Sequence, residues 1–269
     1  MGDALYNTLI LSDVHLGSEL SRAQDALAVL QSNSFRRLVL LGDIFSDLNF
    51  RRLTSDHWKF LTYIRKLSNP KRNVEVVWVE GNHDHGLANL MSHLVGVPVY
   101  QRYVWEYEGK RHLAVHGHQF DRFVSKNLLI SRVGEQLFYQ IQKLDSQTKC
   151  FSRFLDRTNT RWLRLSDKVA HGAIQYARAG KCERVFCGHT HAALSLARDG
   201  IEYYNSGSWV DARATYLTIN QHGVEIQNYA GGTYHRDPSQ EREPVPAAAA
   251  DLFDQAGLPA FAGYKSLRC

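Results

Sequence analysis

The first part of the chain alternates short apolar runs with amphipathic stretches. Mostly apolar residues fill 8–11, 38–41 and 74–79, whereas residues 21–32 and about 55–67 carry apolar side chains at helical spacing. Short apolar runs rich in Leu and Val are typical of buried strands, and a period near 3.6 residues is typical of helices. Strands that alternate with helices predict a layered α/β architecture with a largely parallel sheet.

The later part of the chain changes pattern twice. Residues 104–107 and 111–115 flank Glu108-Gly109-Lys110 and predict a β-hairpin. Between about 120 and 181, apolar residues recur at helical spacing with no obvious strand, which predicts a helical insertion, or cap. Short apolar segments then return and predict an antiparallel run that completes a second sheet: 184–187, 194–197, 201–205, 215–219 and 224–228.

The composition changes again from about residue 230. Four of the six prolines lie beyond this point, together with the run Ala247–Ala250. Such a composition is typical of segments that bury too little apolar surface to fold. We therefore expect one domain over residues 1–229, including the cap at about 120–181, and a largely disordered tail over 230–269.

Five of the apolar runs end in short clusters of residue types that bind metals. In chain order these clusters are Asp13-Val14-His15, Gly42-Asp43, Gly81-Asn82-His83-Asp84, His116-Gly117-His118 and Gly188-His189-Thr190-His191. Open α/β sheets build their binding sites at the carboxyl ends of strands. Each residue alone has a simpler explanation, such as a helix cap, a turn or a core histidine. Turn residues have no reason to recur as this ordered set, so we expect a site for two metal ions.

The candidate ligands form a mixed carboxylate, imidazole and amide set. Asp13 and His15 alternate along an extended segment and can face the same side of the strand end. Asp43 is placed to bridge two ions, and Asn82 offers a neutral oxygen. The nitrogen ligands are His116, His189 and His191. This set favours Mn²⁺ and also accepts Fe²⁺, Zn²⁺ or Mg²⁺. Two ions about 3.5–4 Å apart suit phosphoryl transfer.

The order D-x-H, G-D, G-N-H-D, H-G-x, G-H-x-H, over residues 8 to about 228, resembles the calcineurin-like metallophosphoesterases. The resemblance implies a four-layer α/β/β/α sandwich, here with a helical cap insertion. It implies two ligand sets that share Asp43: Asp13, His15, Asp43 and His191 for one ion, and Asp43, Asn82, His116 and His189 for the other. It also implies that His83 is the non-ligand histidine that stabilises phosphate or protonates the leaving group. The residues alone give His83 only a suitable acid–base range.

A narrower resemblance concerns residues 116–121, the insertion after them and residues 187–210. These segments resemble the UDP-2,3-diacylglucosamine diphosphatase group, with His83 where the main lipid A enzyme of many bacteria has Arg, as in a sister branch. The resemblance implies hydrolysis of a lipid-linked nucleotide diphosphate in lipid A synthesis, under a cap that covers the acyl chains. The chain departs from the group at His118 and Ser208, where members carry Asp.

A further departure concerns the residue that orients His83. Many superfamily members carry an Asp three positions after the bridging aspartate, whereas this chain has Ser46. Asp47, one step beyond, and Asp84, beside the histidine, are therefore both candidates to orient His83.

The formal net charge of +5 is concentrated in the cap. Residues 120–181 contain 12 Lys and Arg against 5 Asp and Glu. A local basic excess favours an anionic partner, and a solvated helical surface explains it equally well. Arg122 and Lys126 lie one turn apart on a presumed helix and are candidate phosphate-binding residues. They fit an exposed cationic face as well.

These observations predict a hydrolase in which metal-bridging hydroxide attacks a phosphoanhydride or phosphodiester. We favour a UDP-2,3-diacylglucosamine-like lipid nucleotide as substrate. The alternative is a broad-specificity phosphodiesterase or phosphatase acting on soluble nucleotides or phosphoproteins. A nucleic-acid-binding module is disfavoured because the charge is modest and no aromatic-interleaved basic stripe appears. A protein that binds metal without catalysis is also disfavoured, because it would have no use for His83, which is not expected to bind metal.

The expected compartment follows from the cysteines and the hydropathy. The four cysteines show no CxxC spacing, which is typical of free thiols in a reducing compartment. The N-terminal segment reads as neither a signal peptide nor a membrane anchor, and no later window approaches the roughly 20 apolar residues of a spanning helix. We expect a cytoplasmic enzyme with peripheral contact to the inner membrane face for a lipid substrate, and no obligate protein partner.

Overall fold

The computed structural model describes residues 5–47, 49–86, 91–92, 95–121, 150–211 and 213–229, with side chains for all of these but residues 5 and 150–164. The helices are α1 (Ala23–Ser32), α2 (Ser55–Leu67) and α3 (Cys150–Ala179), with short 3₁₀ turns at Phe50–Arg52, Pro70–Arg72 and His118–Phe120. The strands are β1 (Leu5–Leu11), β2 (Ser34–Leu41), β3 (Glu75–Val79), β4 (Val99–Tyr100), β5 (Tyr103–Tyr107), β6 (Lys110–Ala114), β7 (Arg184–Cys187), β8 (Leu194–Arg198), β9 (Ile201–Asn205), β10 (Thr215–Asn220) and β11 (Gly223–Asn228).

The strands form two sheets with parallel centres. The first sheet has the order β11-β10-β1-β2-β3-β4, with β1 to β4 parallel and β10 and β11 added as an antiparallel pair. The second sheet has the order β5-β6-β7-β9-β8. Its strands β6, β7 and β9 are parallel, and β5 and β8 close the edges in antiparallel pairing. The parallel strands place their carboxyl ends on a common side of each sheet.

Alternation of side chains along the strands of the first sheet creates two apolar layers. Successive strand residues point to opposite faces. Leu9 and Leu38 therefore pack with α1 and α2 in one cluster, whereas Ile10 and Val39 belong to a second cluster that includes Phe186 of the other sheet. The first sheet is thus covered by helices on one face and by the second sheet on the other.

Helix α3 covers the outer face of the second sheet. Ala173, Ile174 and Ala177 pack in one buried cluster with Val185 and Tyr203 of that sheet. Small residues at helical spacing allow the helix to approach the strands closely. The layers follow in the order helices, sheet, sheet, helix, and the predicted α/β/β/α sandwich is confirmed.

The predicted strand pairing in the last part of the chain is wrong. Strands β10 and β11 pair with β1 in the first sheet and do not complete the second. Strand β7 pairs in parallel with both neighbours rather than in an antiparallel run. A hydrophobic pattern predicts which side chains of a strand are buried, but it does not determine which strand lies next to it in the sheet.

The predicted cap is only partly within the described residues. Residues 122–149 lie outside them, and so do Arg122, Lys126 and the predicted tail at 230–269. Residues 169–177, within the interval assigned to the cap, pack on the second sheet as its outer helical layer. Of the helices that the structure describes, none has the length and apolar character needed to cross a membrane.

Candidate metal centre

The polar clusters meet at the carboxyl ends of strands from both sheets. Within the first sheet, the Asp13 backbone N–H donates to the Gly42 carbonyl at 3.0 Å, and within the second the Gly188 N–H donates to the His116 carbonyl at 3.0 Å. The His189 N–H joins the two sheets by donating to Asp13 Oδ2 at 3.0 Å. Hydrogen bonds donated by backbone N–H groups, one of them to the Asp13 carboxylate, therefore hold the cluster loops together.

One group of candidate ligands consists of Asp13, His15 and His191, whose ligand atoms lie within 4.8 Å of one another. The Asp13 Oδ1 atom lies 3.2 Å from His191 Nε2 and 3.8 Å from His15 Nε2. The two imidazole Nε2 atoms are themselves 3.3 Å apart. Three of the four side chains that the family resemblance implies for the first ion thus place their ligand atoms around one small volume.

A second group consists of Asp43, His116 and His189, again with ligand atoms within 4.8 Å of one another. The His116 Nδ1–H donates to the Leu41 carbonyl at 2.9 Å, which turns Nε2 toward the centre. There Nε2 lies 3.1 Å from Asp43 Oδ2. The backbone of β2 thus selects the nitrogen that His116 offers to a ligand.

Three candidate metal-ligand atoms are buried without a hydrogen-bond partner in the part of the chain that the structure describes. They are Asp13 Oδ1, Asn82 Oδ1 and His116 Nε2. A buried polar atom left unsatisfied costs roughly 1–3 kcal/mol. Oxygen and nitrogen atoms that give up hydrogen bonds to face a common volume are what a bound cation requires. The residues therefore fit two divalent ions, including the predicted amide ligand Asn82.

Each aspartate uses one carboxylate oxygen for the backbone and leaves the other for the centre. Asp13 Oδ2 accepts from the His189 N–H, and Asp43 Oδ1 accepts from the His83 N–H at 2.8 Å. The remaining oxygens, Oδ1 of Asp13 and Oδ2 of Asp43, face the histidines. Both carboxylates are consequently fixed in orientation before a metal binds.

The backbone is strained at the candidate ligands. Among the described residues, nine non-glycine residues have positive φ. A left-handed conformation at such residues costs on the order of 1–3 kcal/mol each and tends to occur at functional sites. Five of the nine are candidate ligands: Asp13, His15, Asp43, His189 and His191.

Two of the motif glycines are required by the close approach of an aspartate. A Cβ atom at Gly81 would overlap the Asp43 carboxylate, and one at Gly188 would overlap the Asp13 carboxylate. The glycines that precede Asn82 and His189 in the sequence therefore make room for the buried aspartates.

The side chain of His83 is oriented by a backbone carbonyl. Its Nδ1 lies 2.7 Å from the Ser46 carbonyl oxygen, so Nδ1 carries the hydrogen and Nε2 lies 4.0 Å from Asp43 Oδ2. The structure thus assigns the orienting contact to the main-chain carbonyl of Ser46.

The two carboxylates considered as partners of His83 make other contacts. Asp47 forms an ion pair with Arg52 at 2.6 Å. Asp84 accepts from the backbone N–H groups of Ile44 at 3.1 Å and Phe45 at 2.9 Å, and so holds the loop after β2. The sequence could not separate these roles, because they depend on the local loop backbone.

Two carboxylates to which the sequence assigns no role lie next to His189 and His191. Asp121 Oδ2 lies 3.4 Å from His189 Nε2. Asp211 Oδ2 lies 3.8 Å from His191 Nδ1 and accepts from Ser208 Oγ at 2.6 Å. Asp121 ends the segment 116–121 and Asp211 directly follows the segment 187–210, both of which the sequence singles out, but no spacing rule gave either carboxylate a role.

His118 is one of the positions at which the chain departs from the UDP-2,3-diacylglucosamine diphosphatase group. It lies beside the second set of candidate ligands, Asp43, His116 and His189. Its ring centroid is 5.6 Å from that of His116, and its Nδ1 is buried. Burial, reinforced by the charge of His116, lowers the pKa of His118 to about 3. His118 is therefore a neutral wall of the centre.

The electrostatics of the centre favour cations. Burial alone would raise the pKa of Asp13 and Asp43, but the neighbouring histidines hold both well below their usual range. Burial alone would lower the pKa of His116 and His191, but Asp43 and Asp13 raise these values to about 9. Two ionised carboxylates thus attract positive charge, which protons supply when metal does not.

Comparison with known families identifies this arrangement. The family model described as the calcineurin-like phosphoesterase superfamily domain matches residues 7–222. The chain belongs to this superfamily. The predicted superfamily is thereby confirmed. Its members use a dinuclear metal centre, and the two groups described above are candidates to hold such ions in this chain.

Several solved structures are similar to this calcineurin-like phosphoesterase at low sequence identity. An archaeal phosphodiesterase is 12% identical, with 82% of this chain and 98% of that chain covered and a TM-score of 0.45. The phosphoesterase Yfce from E. coli is 18% identical, with 80% and 88% covered and a TM-score of 0.45. Vps29 from Entamoeba histolytica complexed with Zn²⁺ is 11% identical, with 82% and 97% covered and a TM-score of 0.41. Comparison with curated proteins gives no match.

Metal binding to this centre should depend on pH, because ions must displace protons from the histidines. The pKa of His116 and of His191 is raised to about 9, so each ring is protonated below that value and free to bind above it. Apparent affinity for Mn²⁺ should therefore rise by up to roughly tenfold per pH unit from about pH 6 and level off near pH 9. Competition titration against a fluorescent chelator measures this, and a pH-independent affinity would contradict it.

Proposed function

We propose that this calcineurin-like phosphoesterase hydrolyses a phosphoanhydride or phosphodiester bond with the help of two divalent ions. The observation that carries the proposal is the convergence of two ligand groups at the strand ends, with buried donor atoms that have no hydrogen-bond partner within the described ranges. Two such ions, when bound, would polarise the phosphoryl oxygens and activate a water molecule.

Two sets of side chains that share Asp43 would hold the two ions. Asp13, His15 and His191 would hold one ion, and Asp43 would be shared with the second. The second ion would also be held by Asn82, His116 and His189. Because the candidate ligands come from rigid strand ends, the substrate phosphate would be fixed without rearrangement of the fold.

His83 would act on the substrate directly. Its Nδ1–H is engaged by the Ser46 carbonyl, and its Nε2 faces the centre 4.0 Å from Asp43 Oδ2. In the imidazolium form, Nε2–H would donate to a phosphate oxygen or to the leaving oxygen. The contact with Ser46 would hold the ring at the angle that this donation needs.

The roles of Asp43 and His83 can be separated by substitution. Asp43→Asn should lose both metal and turnover, because the shared carboxylate is removed. His83→Ala should keep both ions and lose about 10²–10⁴-fold in kcat. His222→Ala, in the exposed turn before β11, serves as the matched control. Elemental analysis with turnover of bis(p-nitrophenyl) phosphate measures both effects, and loss of metal in His83→Ala would show that its assigned role is wrong.

We propose a UDP-2,3-diacylglucosamine-like lipid nucleotide as the substrate. Support comes from the sequence of residues 116–121 and 187–210 and from the basic, apolar-rich insertion. Cations in such a segment suit a pyrophosphate, and apolar side chains suit acyl chains. On this proposal the protein works in the cytoplasm and touches the inner membrane face while it takes up its lipid.

The competing substrates are soluble nucleotides or phosphoproteins, which would use the same centre. The Mn²⁺-loaded protein is given UDP-2,3-diacylglucosamine in detergent micelles and, as the matched soluble substrate, UDP-N-acetylglucosamine. We expect UMP release from the lipid at a kcat/KM at least about 100-fold higher, because acyl-chain binding would be realised only with the lipid. Comparable rates on the two substrates would rule out the lipid specificity and leave the phosphoesterase activity intact.

A further inference from the structure

His189 has a carboxylate at one of its two ring nitrogens. Asp121 Oδ2 lies 3.4 Å from His189 Nε2, and both side chains are 7% exposed. A neutral imidazole carries one hydrogen, and a carboxylate can only accept it. The Asp121 contact therefore places the hydrogen on Nε2 and leaves the lone pair on Nδ1.

The position of Asp121 is set independently of His189. Asp121 ends the 3₁₀ turn His118–Phe120, and its N–H donates to the His118 carbonyl at 3.1 Å. The Phe120 side chain packs where a Cβ at Gly172 of α3 would overlap it, and its ring centroid lies 5.8 Å from that of Tyr176. Helix α3 thus anchors the turn, and the carboxylate is fixed by packing.

The main chain of His189 is fixed as well. Its N–H donates to Asp13 Oδ2 at 3.0 Å, and its φ of 68° is left-handed. With the backbone held at one end and Asp121 at Nε2, the ring has little freedom to turn. A nitrogen of His189 lies within 4.8 Å of ligand atoms of Asp43 and His116.

We propose that Asp121 is a positioning residue for His189, which fixes the Nε2–H tautomer so that Nδ1 faces Asp43 and His116 as a metal ligand. The inference rests on the proposed metal centre. Histidines that bind metals commonly donate their other N–H to a carboxylate or carbonyl, and loss of that partner typically weakens metal binding about 10–100-fold. His116 uses the opposite nitrogens: its Nδ1–H donates to the Leu41 carbonyl, and its Nε2 faces the centre.

The experiment measures metal affinity rather than turnover. Mn²⁺ binding to the full chain is followed by competition titration for the wild type, Asp121→Ala, Asp121→Asn and the matched control Asp199→Asn, whose carboxylate is exposed and paired with Arg178. Asp121→Ala should bind one ion as the wild type does and the other about 10–100-fold more weakly. Asp121→Asn keeps an oxygen acceptor and should bind both ions nearly as the wild type does.

Circular dichroism and thermal unfolding check that each variant is folded. If Asp121→Ala unfolds, Asp121→Leu replaces it, since leucine keeps the volume without an acceptor. Equal affinity for both ions in the alanine or leucine variant would overturn the proposal, and so would equal weakening in Asp121→Asn. A wild-type protein that binds fewer than two ions would overturn the metal centre itself and the positioning role with it.

Discussion

Two buried carboxylates, Asp13 and Asp43, impose the main constraint on this structure. A charge taken out of water without compensation costs several kcal/mol. Here each carboxylate accepts a backbone N–H and faces histidines that supply positive charge. The compensating groups come from strands of both sheets. The site can therefore form only when the sandwich is closed, and the layered core and the centre depend on each other.

The same constraint explains the strained backbone. Five candidate ligands adopt left-handed φ, and several donor atoms have given up hydrogen bonds. The apolar layers around the two sheets must offset these costs, together with buried apolar residues of the ligand loops themselves, such as Val14, Ile44 and Phe45. Cations bound at the centre would satisfy the unpaired donors and add their binding free energy to the stability of the folded state. Metal occupancy and unfolding free energy should therefore change together.

Much of the fold was predictable from the sequence because burial follows periodicity. Helix α2 begins and ends where the spacing predicts, at Ser55 and Leu67. The five polar clusters were predictable for a related reason, since parallel strands bring their carboxyl ends to one edge. The pairing of β10 and β11 with β1 could not be predicted, because an alternation of apolar residues is compatible with either sheet. Strand β4, only two residues long, is too short to leave a pattern.

The contacts that orient the histidines were also beyond the sequence. Ser46 orients His83 through its main-chain carbonyl, which carries no residue-type signal. Asp121 reaches His189 only because Phe120 packs on α3. The motif residues themselves could be found, whereas their supporting contacts depend on loop geometry that residue identity does not encode.

The central claim is that residues distant in sequence form one centre for two ions. The most direct test is anomalous diffraction at the manganese edge from crystals of the Mn²⁺-loaded protein. The account predicts two peaks, one beside Asp13, His15 and His191 and the other beside His116 and His189, with Asp43 between them. A single peak, or manganese bound away from these side chains, would contradict it.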